Sequence, residues 1–320
     1  MRYTFALLGS GLVTGALAST YVALCPMRLY EESYPMYEWA KAQAVRDERS
    51  AAEWLLLGDS RLKAGILPTA LHPTALSLTL PGASPIELYY TAKWYLEHHP
   101  APRRVLLSIA PIHFHSQFLF WDRAVKFDYL SPEALDEVAQ NAVDLGDDSL
   151  GPTWRLPYDC LAYRSKALPL FLPELKATLF QGRAERNWQV LGDLEEDHGH
   201  FFFGREEHSD GLSFEAAHEH FRPTAVYDAY FRRLLGLLQR SGAEIRFQTM
   251  PLNRRSRSAI RADYASEYKR YFERVAKDFP TISFEVEWPV LPDDSFGDPN
   301  HLNAHGAELV TERVRERLPI

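Results

Sequence analysis

Trp54-Leu55-Leu56-Leu57-Gly58-Asp59-Ser60-Arg61 is the stretch on which the fold turns. Four apolar residues in succession, stopped by Gly-Asp-Ser, have the pattern of a strand buried on both faces and closed by a tight turn, as in a parallel sheet. Further strand candidates are Ala75 to Leu80, Arg104 to Ala110, Ala243 to Met250 and Thr281 to Val286. Helical patterns separate them, over Ile86 to His98, Val226 to Arg240, Ser258 to Asp278 and Asn303 to Leu318. Strands alternating with helices of this length predict an α/β domain, its parallel sheet covered by helices on both faces. The rhythm breaks between about Phe114 and Pro223, a stretch too long for a loop and with a helical segment of its own over Pro132 to Val143. It reads as an insertion packed over one end of the sheet.

Toward the N-terminus, Tyr3 to Cys25 is a run of 23 uncharged residues, 15 of them hydrophobic and the rest Gly, Ser or Thr. A helix of that length reaches about 34 Å, enough to cross a hydrocarbon core of about 30 Å. The apolar run continues past Ala16-Leu17-Ala18, a candidate small-x-small cleavage site, which favours an uncleaved anchor over a removed signal peptide. Leu24 before Cys25 fits a lipoprotein site poorly. Arg2 and the free amine make the short flank positive and therefore cytoplasmic, against Arg28 on the far side, so the bulk of the chain is expected outside the cytoplasm. Gly11-x-x-x-Gly15 is a helix-contact pattern also common in lone membrane helices. Residues 1–26 are thus expected to be the anchor, 27–52 a polar and aromatic stalk, and 53–320 the domain.

Composition removes several classes. With 46% hydrophobic and 24% charged residues the chain is globular rather than disordered, and a net charge of −8 without a long basic run argues against nucleic-acid binding. Two cysteines, Cys25 and Cys160, build neither a disulfide framework nor a Cys-based zinc site.

Two motifs carry chemistry. Ser60 follows the first strand, at the end of an open α/β sheet where ligands bind, and its own N–H at the start of the next helix can face a developing oxyanion. By itself Gly-Asp-Ser is also ordinary turn chemistry. Near the C-terminus, Asp298-Pro299-Asn300-His301-Leu302-Asn303 places a carboxylate three residues before an imidazole in a loop that precedes a helix. The carboxylate can orient the ring and leave its other nitrogen free to take a proton from a serine. The chain order Ser…Asp…His makes the pair more specific than either half, each of which alone reads as a turn or a cap.

Ser60 in Gly-Asp-Ser, Gly82 in Leu80-Pro81-Gly82-Ala83-Ser84 and Asp298-x-x-His301-Leu-Asn together resemble the SGNH (GDSL-like) hydrolase superfamily over roughly residues 53 to 320. The resemblance implies a flavodoxin-like three-layer α/β/α fold and a mechanism without cofactor or metal. It makes Ser60 the nucleophile, His301 the base and Asp298 its partner, with the N–H groups of Ser60 and Gly82 in the oxyanion hole. The family's Gly-x-Asn-Asp block is replaced here by Ala110-Pro111-Ile112-His113-Phe114-His115, so the third oxyanion donor is open, with His113 and Asn253 as candidates. The anchor, the insertion and this departure resemble the membrane-anchored SGNH-like O-acyltransferases of exopolysaccharide and teichoic-acid modification. These work in the cell envelope beside a membrane-bound O-acyltransferase (MBOAT) that supplies the acyl group. The expectation is a periplasmic or extracellular serine-dependent O-acetylation of a polysaccharide. A carbohydrate esterase with the same triad and a non-catalytic glycan-binding subunit are the alternatives.

Arg61, Arg254 and Arg255, with Arg257 and Arg261, are candidates to hold an anionic glycan, or else form a solvated face. His198, His200, His208, His218 and His220 crowd the insertion, but the serine mechanism needs no metal and an exposed polar loop explains them. Phe201-Phe202-Phe203 and Phe114 to Trp121 are candidates for a glycan groove or a membrane face, with core packing as the default.

Overall fold

The computed structural model describes residues 2–115, 119–152, 155–166 and 168–316. Positions 116–118 of the aromatic stretch and the expected end of the last helix, 317–318, lie outside them. Five parallel strands form the central sheet: β1 (Trp54–Gly58), β2 (Leu76–Ser77), β3 (Arg104–Ser108), β4 (Glu244–Gln248) and, after the short β5 (Leu252–Asn253), β6 (Ser283–Glu285). Their order is β2-β1-β3-β4-β6, and β5 pairs in parallel with β7 (Val290–Leu291) in a separate two-stranded sheet. Sheet order reverses between β1 and β3, which are in register from Trp54 opposite Arg104 to Gly58 opposite Ser108. In doubly wound sheets that reversal opens a crevice at the carboxyl ends of the strands.

The helices are α1 (Arg2–Leu24), α2 (Tyr34–Ala44), α3 (Ser60–Gly65), α4 (Pro68–Leu71), α5 (Pro85–His98), α6 (Pro132–Asp144), α7 (Leu156–Arg164), α8 (Leu168–Gln181), α9 (Arg183–Glu196), α10 (Ala225–Arg240), α11 (Arg254–Ala259), α12 (Ala262–Asp278) and α13 (Ala304–Glu316). Strand side chains alternate between two apolar layers. Leu55, Leu57, Val105 and Leu107 face the core that holds Ile86 of α5, Leu234 of α10 and Phe272 of α12. Trp54, Leu56 and Leu106 face a smaller core with Leu62 of α3 and Val310 and Val314 of α13. The sheet is therefore covered on both faces, as the continuous apolar strands require.

The insertion contributes α6 to α9 and a π-helical turn at Phe120–Val125 between β3 and α10. Tyr3–Leu24 is long and apolar enough to cross a membrane. The expected stalk is corrected. Within 27–52, Met36, Tyr37, Trp39, Ala40 and Ala44 are buried, because α2 carries these apolar side chains along one side and packs on α5 and α9. The Tyr37 hydroxyl donates to the Pro81 carbonyl (2.9 Å) and the Trp39 indole N–H to Glu195 (2.9 Å), so this segment belongs to the domain.

Candidate active site

Each residue of the Gly-Asp-Ser turn has a separate reason to be there. A Cβ on Gly58 would lie 2.2 Å from the Ser108 carbonyl oxygen of β3, so only glycine lets the two strand ends come this close. Asp59, wholly buried, accepts from the Arg61 N–H (2.9 Å) and caps α3, while its other oxygen accepts from the Ala110 N–H (2.6 Å) and ties β1 to the chain leaving β3. Ser60 is then the first residue of α3, its side chain directed at the loop before α13.

That loop brings the other two side chains to it. His301 Nε2 lies 2.8 Å from Ser60 Oγ, and His301 Nδ1 lies 2.7 Å from Asp298 Oδ2. Asp298 Oδ1 accepts from the N–H groups of Asn300 (2.7 Å) and His301 (2.9 Å), which folds the loop back on itself. Burial pushes the Asp298 carboxyl up, but the bonds from the His301 ring and these two amides outweigh it and hold it below the usual carboxylate range. An ionised Asp298 at Nδ1 selects the tautomer with the proton there, leaving Nε2 as an acceptor for the serine hydroxyl. Phe203 of the insertion lies over the imidazole, with ring centroids 4.7 Å apart.

Ser60, Gly82, His113 and His301 line one cavity of about 850 Å³. Gly82 has φ of +72°, and a Cβ there would meet the Leu119 side chain at 2.5 Å. The Pro81 carbonyl before it accepts from Tyr37 and from the Arg123 guanidinium, fixing the direction of the turn. His113 is buried against Asp59, Nε2 to Oδ2 3.5 Å, and its Nδ1 has no hydrogen-bond partner. Burial lowers its pKa, so the ring is neutral.

Several expected site residues are placed elsewhere. Asn253 is corrected as an oxyanion donor: wholly buried, it gives its amide N–H groups to the Ser209 (3.1 Å) and Gly211 (2.8 Å) carbonyls and caps α11 through Ser256 N–H (2.7 Å). Arg61 does line the cavity, but its guanidinium is committed within the protein. Only 5% exposed, it pairs with the fully buried Glu215 at 2.6 Å and donates to Asn300 Oδ1 at 3.1 Å, joining α3 to the insertion and to the Asp298 loop. Arg254 and Arg255 are exposed on α11 and do not line the cavity, and Arg255 faces Asp210 at 3.5 Å. Besides Arg61, the arginines on the cavity wall come from the insertion: Arg123, Arg183, Arg186 and Arg205.

The histidines of the insertion are not gathered either. His200 is buried with Nδ1 2.6 Å from the Lys63 carbonyl, His198 faces the Ala75 carbonyl, and His220 meets Glu267. Among the described residues no group of His, Cys, Asp or Glu is placed to hold a metal ion. Phe201, Phe202 and Phe203 all line the cavity. Their segment is clamped to the histidine loop where Gly204 and Gly297 meet backbone to backbone: a Cβ on Gly204 would fall 2.2 Å from Gly297 C. Against known proteins, no family model matches this chain and no curated protein matches it.

Proposed function

We propose that the chain is an SGNH-like serine O-acyltransferase, anchored by α1 with its domain outside the cytoplasm, that moves an acetyl group onto a polysaccharide hydroxyl. The observation that carries this reading is the hydrogen-bonded series Ser60–His301–Asp298, at 2.8 and 2.7 Å, opening on a cavity large enough for sugar rings. Ser60 Oγ attacks the acyl carbonyl as His301 Nε2 takes its proton; the collapsing intermediate expels the donor's leaving group, which carries that proton away. The acceptor hydroxyl then attacks the Ser60 ester, His301 taking its proton and returning it to Ser60 Oγ. The N–H groups of Ser60 and Gly82 serve the oxyanion. His113 stands beside them on the cavity wall, but Asp59 Oδ2, 3.5 Å from its Nε2, favours the tautomer with the proton on Nε2, which makes Nδ1 an acceptor and not a third donor.

The wall favours an acidic or densely hydroxylated acceptor, because Arg123, Arg186 and Arg205 outnumber Asp193 on the described wall once Arg183 is paired with Glu32 (2.8 Å) and Arg61 with Glu215 (2.6 Å). Phe201 to Phe203 supply faces on which sugar rings stack. The acyl donor is proposed to come from a membrane partner of the MBOAT kind. The test is incubation of the full chain in detergent with p-nitrophenyl acetate and an oligosaccharide panel, read by mass spectrometry with Ser60→Ala as control. Acetylated sugar that depends on Ser60 supports transfer; Ser60-dependent acetate alone assigns an esterase; neither, with Ser60 inert to a serine-directed phosphonate, favours a binding subunit.

A further inference from the structure

The insertion exposes a surface that the reaction does not use. The inner side of α8 buries Phe171 edge-on to Tyr30, with ring centroids 6.0 Å apart, and packs Leu168, Leu170 and Leu175 on the core. Its outer side presents Pro169, Leu172, Pro173, Lys176 and Leu179 to solvent. Positions i, i+3, i+4, i+7 and i+10 form a single helical face, and Lys176 is its one charge. Leu179 is 77% exposed, an unusual cost for a surface facing water.

What lies beside that face indicates what covers it. α8 packs against α1, and the described α1 residues short of full exposure, Gly15, Ala18, Tyr21 and Val22, fall on one stripe that Cys25 continues. Next to α8, the indole of Trp188 on α9 is 54% exposed with the Arg28 guanidinium 5.2 Å from its ring. Asn187 holds α9 to the chain just beyond α1 by donating to the carbonyls of Arg28 (2.7 Å) and Glu31 (2.8 Å). Trp beside a cation at the end of a spanning helix is the composition of a membrane interface, and Lys176 is long enough to keep its ammonium among headgroups while the apolar face goes deeper.

We infer that the outer face of α8, bordered by Trp188 and Arg28, is a membrane-interface surface whose occupant is the phospholipid of the leaflet into which α1 enters. The inference rests on reading α1 as a spanning helix. It has a consequence for the site. The cavity is lined by Glu32, Ser33 and Met36 and by Gln181, Arg183 and Arg186 at the α8–α9 junction. Glu32 follows Leu24 by eight residues, which even fully extended span at most about 28 Å. The crevice that holds Ser60 therefore opens beside the bilayer, where an acyl group carried by a lipid or an integral membrane protein reaches it without crossing free solution.

The test uses the full chain with Cys25→Ser and Cys160→Ser, and single cysteines in turn at Leu12, Leu172, Leu179 and Arg240. Each is labelled with bimane in phosphatidylcholine–phosphatidylglycerol vesicles with or without lipids bearing a nitroxide high on the acyl chain. Arg240 precedes β4, at the end of the sheet away from the cavity, and serves as the aqueous control. The expected result is quenching of the Leu172 and Leu179 labels by about twofold or more, as for a helix seated about 5–10 Å into the interface, with Leu12 also quenched and Arg240 unaffected. Quenching at Leu12 but not at Leu172 or Leu179 overturns the inference and keeps the anchor. Quenching at none of the four overturns both.

Discussion

Arg61 and Glu215 show how much of the site depends on charges paired inside the protein. Burial would press the guanidinium down and the carboxyl up, but each holds the other ionised, leaving Arg61 above and Glu215 below its ordinary value. Glu215→Gln leaves a buried cation without its counter-charge and is expected to destabilise the fold by about 3–5 kcal/mol, measured by urea denaturation, with Arg61→Met/Glu215→Leu recovering much of the loss. At Asp298, replacement by Asn keeps the shape but not the tautomer. The expected outcome is a fall in kcat on the order of 10³–10⁴-fold with little change in KM for the acetyl ester. Ser60, Asp298 and His301 were legible because each motif is local: a turn after an apolar strand, and a carboxylate three residues before an imidazole. Arg61 reads in sequence as a free cation because its partner Glu215 lies 154 positions away, in an insertion without periodicity to place it. Asn253 was misread because a side chain that caps a helix and one that faces a ligand look alike in sequence.

Among the elements, α3 carries a buried base besides its serine. Lys63 is enclosed with its ammonium donating to the Gly199 carbonyl (2.6 Å), and burial presses its pKa down to about 7. An unfolded lysine titrates near 10.4. Between those values the unfolded chain binds more protons than the folded one, so this residue makes stability rise with pH from about 7 toward 10. Below pH 7 its cost is felt in full. Urea midpoints at pH 7 and pH 9 are expected to differ less in Lys63→Met than in the parent, whatever the variant's absolute stability; an unchanged difference would remove Lys63 as the cause. The clamp between Gly204 and Gly297 calls for a second test. Gly297→Ala puts a methyl against the Gly204 carbonyl, 2.4 Å away, and is expected to cost about 1–3 kcal/mol while shifting the His301 loop enough to lower kcat. Strands and amphipathic helices were readable from their periods, yet β2 kept only Leu76–Ser77 of the expected run. The Leu78 and Leu80 amides still bond to β1, but Ser77 N–H turns to the His198 carbonyl and Gly82 takes the chain away from the sheet.

For the molecule as a whole, the segment after the anchor changes how the parts are connected. Aromatic side chains at Tyr34, Tyr37 and Trp39 read in sequence as a stalk, since their pockets are supplied by Phe127, Tyr129 and Glu195 of the distant insertion. The domain's boundary therefore lies inside α1: Val22 is fully buried, and its carbonyl accepts from the Tyr30 hydroxyl (3.4 Å). A chain begun at Met27 is expected to be less stable than one begun at Tyr21 by about 1.5–3 kcal/mol, the worth of burying one such side chain, as read by thermal and urea unfolding of the two truncations. The fold class was open to sequence reasoning because burial on both faces imposes its own pattern. The wall of the cavity was so only in part: Phe201-Phe202-Phe203 stood out as a groove candidate, whereas Arg123, Arg186 and Arg205 acquire a common surface only once the insertion has folded over the strand ends.

In the proposed reaction Ser60 carries an acyl group from donor to acceptor. The most direct measurement is intact-peptide mass spectrometry of the full chain, quenched in acid within the first turnovers with an activated acetyl ester, in parent and His301→Ala. One acetyl group is expected on the peptide bearing Ser60 in the parent, lost when an accepting oligosaccharide is added, and none in the variant. Acetylation of Ser60 that proceeds equally in both proteins, or a parent that releases acetate while Ser60 stays unmodified at every time, would contradict that reaction.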